Sequence, residues 1–155
     1  AGEIMNEVKF TVYGEPRGKG RPRVSLRRYK GKDGKDHTFS QAYTPKDTVS
    51  YENLVKTEYS AQCGDFIFPD GAMLDCRIIA YYGIPKSTSK KKRELMLSGK
   101  IRPTKKPDFD NMAKIICDSL NKIAYRDDSQ VVDGQVRKFY SEKPRVEVKI
   151  IQIGG

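Results

Sequence analysis

The chain has no tryptophan, one histidine, three cysteines and no apolar run longer than a few residues. A helix that crosses a bilayer needs about 20 largely apolar residues, so no membrane span is expected, and no charged leader precedes an apolar core near Ala1. Cys63, Cys76 and Cys117 lie far apart without CxxC or Cys/His spacing, which excludes the usual zinc patterns and reads as reduced core or helix thiols. His37 sits alone in a Gly/Lys/Asp-rich stretch, which leaves a Cys/His nucleophile pair without support. What the 155 residues do contain, 37% of them hydrophobic, is enough for the core of one globular domain spanning 1–155. A cytoplasmic protein is the expectation.

Acids are scarce wherever the bases are dense. Arg17 to Lys35 holds nine basic residues against Asp33 alone, and Lys86 to Lys106 holds nine against Glu94 alone. These two segments take 18 of the 30 Lys and Arg but 2 of the 20 acids, so the rest of the chain is acidic with 12 against 18. Two concentrated cationic segments on an acidic body favour a polyanionic partner over a merely solvated face. The acids have a focus of their own: Asp108, Asp110, Asp118, Asp127, Asp128 and Asp133 all lie between Lys106 and Asp133.

Val8, Phe10 and Val12 alternate with polar neighbours as in a half-buried strand that Gly14 and Pro16 end. GEPRGKGRPRV follows, a loop whose glycines let backbone amides approach a phosphate. It is not a Walker A loop, because Gly14 and Gly18 are too close and Gly20 stands where Ser or Thr belongs. RRYKGKDGKDHTFS reads as a basic hairpin with its tip at Asp33-Gly34, so the basic loop and hairpin together cover 14–40. A helix is predicted from Thr44 or Asp47 to Gly64 with Val49, Leu54 and Val55 on its apolar side. Leu74, Cys76, Ile78, Ala80 and Tyr82 mark a strand over 73–82, and SKKKRELMLSGK a short basic helix ended at Gly99.

KPDFD is predicted to be extended and to lead into a helix with Met112, Ile115, Ile116, Ser119, Leu120 and Ile123 on one face. Asn111, Lys114, Asp118 and Asn121 share the other, and Asp110 is the expected N-cap. The segments 129–140 and 145–153 read as two strands forming an antiparallel pair, although Asp133-Gly134 is locally a turn signal. No internal repeat is present.

In an extended Asp108-Phe109-Asp110 both carboxylates point the same way, and the returning chain brings up Asp127 and Asp128. Converging carboxylates repel one another until a divalent ion neutralises them, and an oxygen-only set suits Mg²⁺ or Mn²⁺. The same residues also fit plain helix capping plus a polar loop. An EF-hand is excluded, since Ala113 and Ser119 occupy its Gly and Glu positions. An Asp-x-Asp metal motif is also used by nucleotide-sugar transferases, an alternative that the motif alone leaves open, though nothing in sugar recognition calls for two blocks of nine cations.

DFDNMAKIICDSLNKIAYRDDSQVV resembles the signature of RusA-type Holliday junction resolvases: Asp-x-Asp-Asn, Lys four residues on, a further Asp, then Asp-Asp-x-Gln-Val. GEPRGKGRPRV, YTPKDT and the Tyr51-Glu52 helix extend the likeness to the phage and prophage branch over nearly the whole chain, with a longer basic hairpin. The resemblance implies a small single-domain α/β (α+β) fold with a mixed sheet packed with helices, a homodimer, and a bacterial or phage-encoded cytoplasmic nuclease. It makes 107–133 the metal-site segment. Asp108, Asp110 and Asp128 match the metal-binding catalytic acids and Lys114 the catalytic lysine. Asp127 matches a further metal-site acid, and Asp118 and Asn111 accessory positions. It also implies that Asp133-Gly134 lies within one continuous strand.

The activity implied is Mg²⁺-dependent (or Mn²⁺-dependent) cleavage of branched DNA, a four-way junction, by paired symmetric nicks. DNA contacts are expected from Arg17, Lys19, Arg21, Arg23, Arg27, Arg28, Lys105 and Lys106. A noncatalytic basic nucleic-acid-binding protein and a flap or other branched-DNA nuclease are the alternatives.

Overall fold

The computed structural model describes residues 6–20, 23–43 and 46–154. In chain order the elements are β1 (Glu7–Tyr13), β2 (Arg23–Lys30), β3 (Asp36–Tyr43), α1 (Lys46–Cys63), β4 (Met73–Gly83), α2 (Lys90–Leu97), α3 (Phe109–Ser119), β5 (Val131–Ser141) and β6 (Arg145–Ile153), with a 3-10 turn at Asp128–Gln130 before β5. β4 lies inside the sheet, with Leu74, Cys76, Ile78, Ala80 and Tyr82 buried on one face. β6 pairs with it antiparallel and β5 parallel, with β1 antiparallel on the far side of β6, so the mixed sheet runs β1-β6-β4-β5.

The expected antiparallel pairing of the last two strands is therefore wrong: β4 lies between them. The link at 142–144 must cross two strand spacings, about 10 Å, and four residue steps reach about 13 Å, so a short connection suffices. Chain adjacency suggested a hairpin, but β5 and β6 each pair with β4 instead. Asp133-Gly134 does continue the strand. Gly134 stands opposite Cys76, and a Cβ there would meet the Cys76 carbonyl at 3.1 Å.

One face of the sheet carries the core, where Val8, Phe10, Val12, Val146, Val148 and Ile150 join the β4 residues against α1 and α3. α3 buries Met112, Ile115, Ile116 and Ser119, the face read from periodicity. In α1 only Val55 of the expected side is buried. Val49 and Leu54 are exposed, and the packed face is Thr48, Tyr51, Val55 and Tyr59, because its large apolar bodies are tyrosine rings. Tyr59 meets Phe10 edge to face at 5.4 Å. Thr44, one proposed start of α1, lies outside the described residues; the helix is in place from Lys46.

β2 and β3 form a separate two-stranded sheet closed by the loop 31–35, in which Gly34 has φ +75°. α2 begins with Ser89 capping the Lys92 amide and ends before Gly99 at φ +81°, as expected. No helix of the described residues is long and apolar enough to cross a membrane.

The loop after β1 reaches α3. A Cβ on Gly18 would lie 2.9 Å from Pro107 Cβ and 3.1 Å from Asn111 Cβ, and the Gly20 amide donates to Thr48 Oγ1 at 2.9 Å. Gly18 is thus needed for closeness. Gly18→Ala is expected to push the loop off α3 and to cost about 1–3 kcal/mol, read as a lower urea midpoint at unchanged slope.

Candidate active site

The acids are carried by the two ends of α3 and the turn that follows it. The approach to the helix is fastened by the sheet: Tyr82 Oη donates to the Pro107 carbonyl at 2.7 Å, and Lys138 Nζ to the Lys105 carbonyl at 2.6 Å. Arg102 adds a stacked contact on Phe139 at 4.2 Å and an Nε bond to the Lys138 carbonyl at 2.8 Å. Burial pushes the Tyr82 hydroxyl up to about 12, with the nearby charge of Asp108 acting the same way. Burial also lowers Lys138, against the pull of Asp108. Asp108 therefore sits beside a neutral phenol and an ammonium supplied by neighbouring strands.

Asp108, not Asp110, is the N-cap of α3, with extended φ −71° and ψ 161° and no side-chain cap bond. Phe109 and Asp110 are already helical, so the expected extended KPDFD ends at Asp108, and the alternation that was to align the two carboxylates does not apply. Both acids instead stand at the positive end of the helix, which favours negative charge. Asp108 and Asp110 are exposed.

At the other end, Asp118, Asn121 and Asp128 meet. The Asp128 amide donates to Asn121 Oδ1 at 2.7 Å, and Asn121 Nδ2 lies 3.4 Å from Asp128 Oδ2. Desolvation holds the Asp128 carboxyl above the usual carboxylate range, and the Asp118 carboxylate within hydrogen-bonding reach adds to it. The cation in this cluster is Lys19, whose Nζ is 2.5 Å from Asp118 Oδ2. The bond to Asp118 raises the lysine, and the fields of Glu52 and Asp128 raise it further. Asp127 turns away into a capping box. Its carboxylate accepts from the Ser129 amide at 3.0 Å, while Gln130 Oε1 accepts from the amides of Arg126 and Asp127.

The predicted residues are thus placed in two groups, Asp108 and Asp110 at the start of α3 and Asp118 and Asp128 at its end. Asn111 lies under Gly18. Lys114 is exposed, and Asp118 is held by Lys19. Arg17, Arg28, Lys105 and Lys106 are exposed. Arg21 lies outside the described residues, as do the side chains of Arg23 and Arg27. The sequence reading missed Asn121 as a partner of Asp128, and Tyr82 and Lys138 as neighbours of Asp108. It also missed Glu52 beside Lys19. These contacts cross between elements, and no local spacing announces them.

Among the described residues, no three His, Cys, Asp or Glu side chains converge on one point as a finished cage. The donor chemistry at Asp118 and Asp128 nonetheless fits a hard divalent cation. Two carboxylates crowd each other there, and an ammonium already answers part of their charge.

The raised carboxyl of Asp128 has a stability consequence. Its ionised form is disfavoured in the folded chain, so the penalty is fully present above the folded pKa, fades as pH falls through it and is gone below the pKa of the unfolded carboxyl. At neutral pH, Asp128→Asn keeps the amide-sized side chain beside Asn121 and removes the charge. The metal-free variant is expected to melt about 2–4 °C above the wild type, an effect of about 1 kcal/mol, with the difference shrinking in acid in a thermal melt series.

The chain is similar to known proteins over most of its length. A protein of Bacillus subtilis (strain 168) named "Uncharacterized protein YqaN" is 44% identical over 153 residues, covering 97% of this chain and all of its own length. A Lactococcus phage r1t protein, "Crossover junction endodeoxyribonuclease rusA", is 39% identical over 51 residues, 32% of this chain and 39% of its own. The family model described as "Endodeoxyribonuclease RusA" matches residues 14–151, from the glycine loop through α3 and the carboxylates to the end of the sheet, and the chain belongs to that family of DNA endonucleases.

Proposed function

We propose that the protein is a structure-selective endodeoxyribonuclease that resolves four-way DNA junctions by paired symmetric nicks, using Mg²⁺ or Mn²⁺. The observation that carries this reading is the direct contact of the cationic loop with the acid-bearing helix, Gly18 against Pro107 and Asn111 and Lys19 on Asp118. A DNA backbone drawn in by the loop arrives beside the carboxylates rather than at a remote surface.

A phosphodiester is anionic, and its transition state concentrates further charge near phosphorus. Asp108, Asp110 and Asp128 are the proposed metal-binding acids, Asp128 and accessory Asp118 offering one pair of carboxylates to a divalent ion at the end of α3 and Asp108 and Asp110 a second pair at its start, with Asp127 as a supplementary oxygen donor. The ion supplies Lewis acidity toward the phosphoryl oxygen and an acidified water. Lys114 is exposed on the turn of α3 after Asp110, where its ammonium can stabilise developing charge on the phosphate. Arg17, Arg21, Arg23, Arg27 and Arg28 of the loop and hairpin, with Lys105 and Lys106 before α3, are the proposed phosphate contacts. They select junctions by shape rather than by base edges. Two cuts related by a two-fold axis call for two equivalent sites, which a homodimer supplies. Such an enzyme works in the bacterial cytoplasm, where its chromosomal or phage DNA substrate is.

The acids' separation into two groups favours a second reading, a noncatalytic DNA binder whose carboxylates only cap and solvate. A synthetic four-way junction incubated with the protein, with and without Mg²⁺, separates the two, since a binder retards the DNA and leaves it intact. Symmetric nicks exclude a flap nuclease. Asp110→Asn should retain junction binding and lose cleavage by more than about 100-fold, a loss that even outer partners of a metal can cause. A parallel fall in binding would make Asp110 structural. Arg17→Ala should weaken binding to all DNA shapes alike and reduce the salt slope of log K by about one, and an unchanged slope removes Arg17 from the phosphate contacts.

A further inference from the structure

Lys19 is out of place among residues waiting for DNA. Its neighbour Arg17 is exposed, but the Lys19 ammonium is turned inward onto Asp118, with both side chains about three-quarters shielded from solvent. Glu52 from α1 and Asp128 from the turn after α3 add their charge. The backbone on either side is fixed, by Gly18 packed on Pro107 and Asn111 and by the Gly20 amide on Thr48. Among the described residues, the loop thus delivers the Lys19 charge to the place where two carboxylates crowd each other.

We propose that Lys19 is a positioning residue that serves as the resident counter-cation of the Asp118–Asp128 pair and competes there with the divalent ion. The inference rests on the nuclease reading above. In the metal-free chain the ammonium holds the acids together and ties the loop to α3. When a divalent ion neutralises the pair, the attraction that holds Lys19 weakens, and the amine is released beside Arg17 as one more phosphate contact. Metal binding and readiness of the loop for DNA are therefore coupled, and by linkage DNA that captures Lys19 tightens the hold on the metal.

The competition is read directly by titrating Mn²⁺ into the metal-free chain by calorimetry. Lys19→Met keeps the length of the side chain and removes the charge, and is expected to bind Mn²⁺ at least about tenfold more tightly than the wild type, within the usual range for coupled sites. Lys19→Arg keeps the charge and should bind no more tightly than the wild type. Lys9→Met, which removes a cation from exposed β1, should match it. If Lys19→Met is folded without metal but partly melted at the temperature of the titration, its Mn²⁺-induced rise in Tm, measured from its own metal-free midpoint, must exceed that of the wild type. Equal or weaker Mn²⁺ binding by Lys19→Met, or an equal or smaller rise in Tm, overturns the role given to Lys19. Wild-type cleavage of a four-way junction alongside such a result leaves the nuclease reading standing, whereas a wild type that neither binds Mn²⁺ nor cuts junctions overturns both.

Discussion

The rotational setting of α3 governs the rest of the molecule. Met112, Ile115, Ile116, Ser119 and Leu120 are all fully buried against the sheet and α1. Burying each large apolar side chain contributes about 1.5–3 kcal/mol at most, so turning the helix by even one residue's 100° exposes several of them. The helix has one allowed orientation, and its polar face follows from it. Lys114 faces outward, Asn111 lies under the cationic loop and Asp118 faces Lys19. Stability is invested in one side of eleven residues, and the chemistry is placed on the other.

The sheet extends this control to the segment before the helix. β4 and β5 each contribute a side chain, Tyr82 and Lys138, that holds a carbonyl of the 105–107 segment. Because β4 and β5 are parallel neighbours, both side chains come from the same end of the sheet, at Ala80↔Lys138 and Tyr82↔Tyr140. The pairing that the sequence reading got wrong is thus what brings the two holding groups together. Had β5 paired with β6 as a simple hairpin, Lys138 would not stand beside Tyr82 next to Asp108.

Local patterns were legible wherever one periodicity acts on one element. The alternation of β4, the apolar stripe of α3, the hairpin tip at Gly34 and the end of α2 at Gly99 all follow from rules that span a few residues. The same rules failed where burial is shared among elements. β4 stands between β5 and β6, a long-range pairing that chain adjacency does not announce, and the inner face of α1 depends on tyrosines that periodicity alone counts as polar. At the site, the acids were found by composition and spacing, but their grouping was not. The cap lies at Asp108 rather than Asp110, and Asp118 pairs with Lys19. A lysine 99 positions distant in sequence has no local signature at Asp118. Only the fold reveals it.

The choice of lysine at position 19 has a physical logic that arginine would not satisfy. Arginine's planar fork binds a carboxylate through two parallel hydrogen bonds and gives up that geometry reluctantly. The ammonium of lysine is a compact charge on a flexible stem, strongly hydrated when released and able to exchange one oxygen partner for another. Its flanking glycines, Gly18 and Gly20, bring the backbone close to α3 and α1 without side chains of their own, so that the lysine stem alone spans the gap to Asp118. An arginine on the same backbone would close the Asp118–Asp128 pair more firmly. A lysine leaves it neutralised and still open to a competing cation.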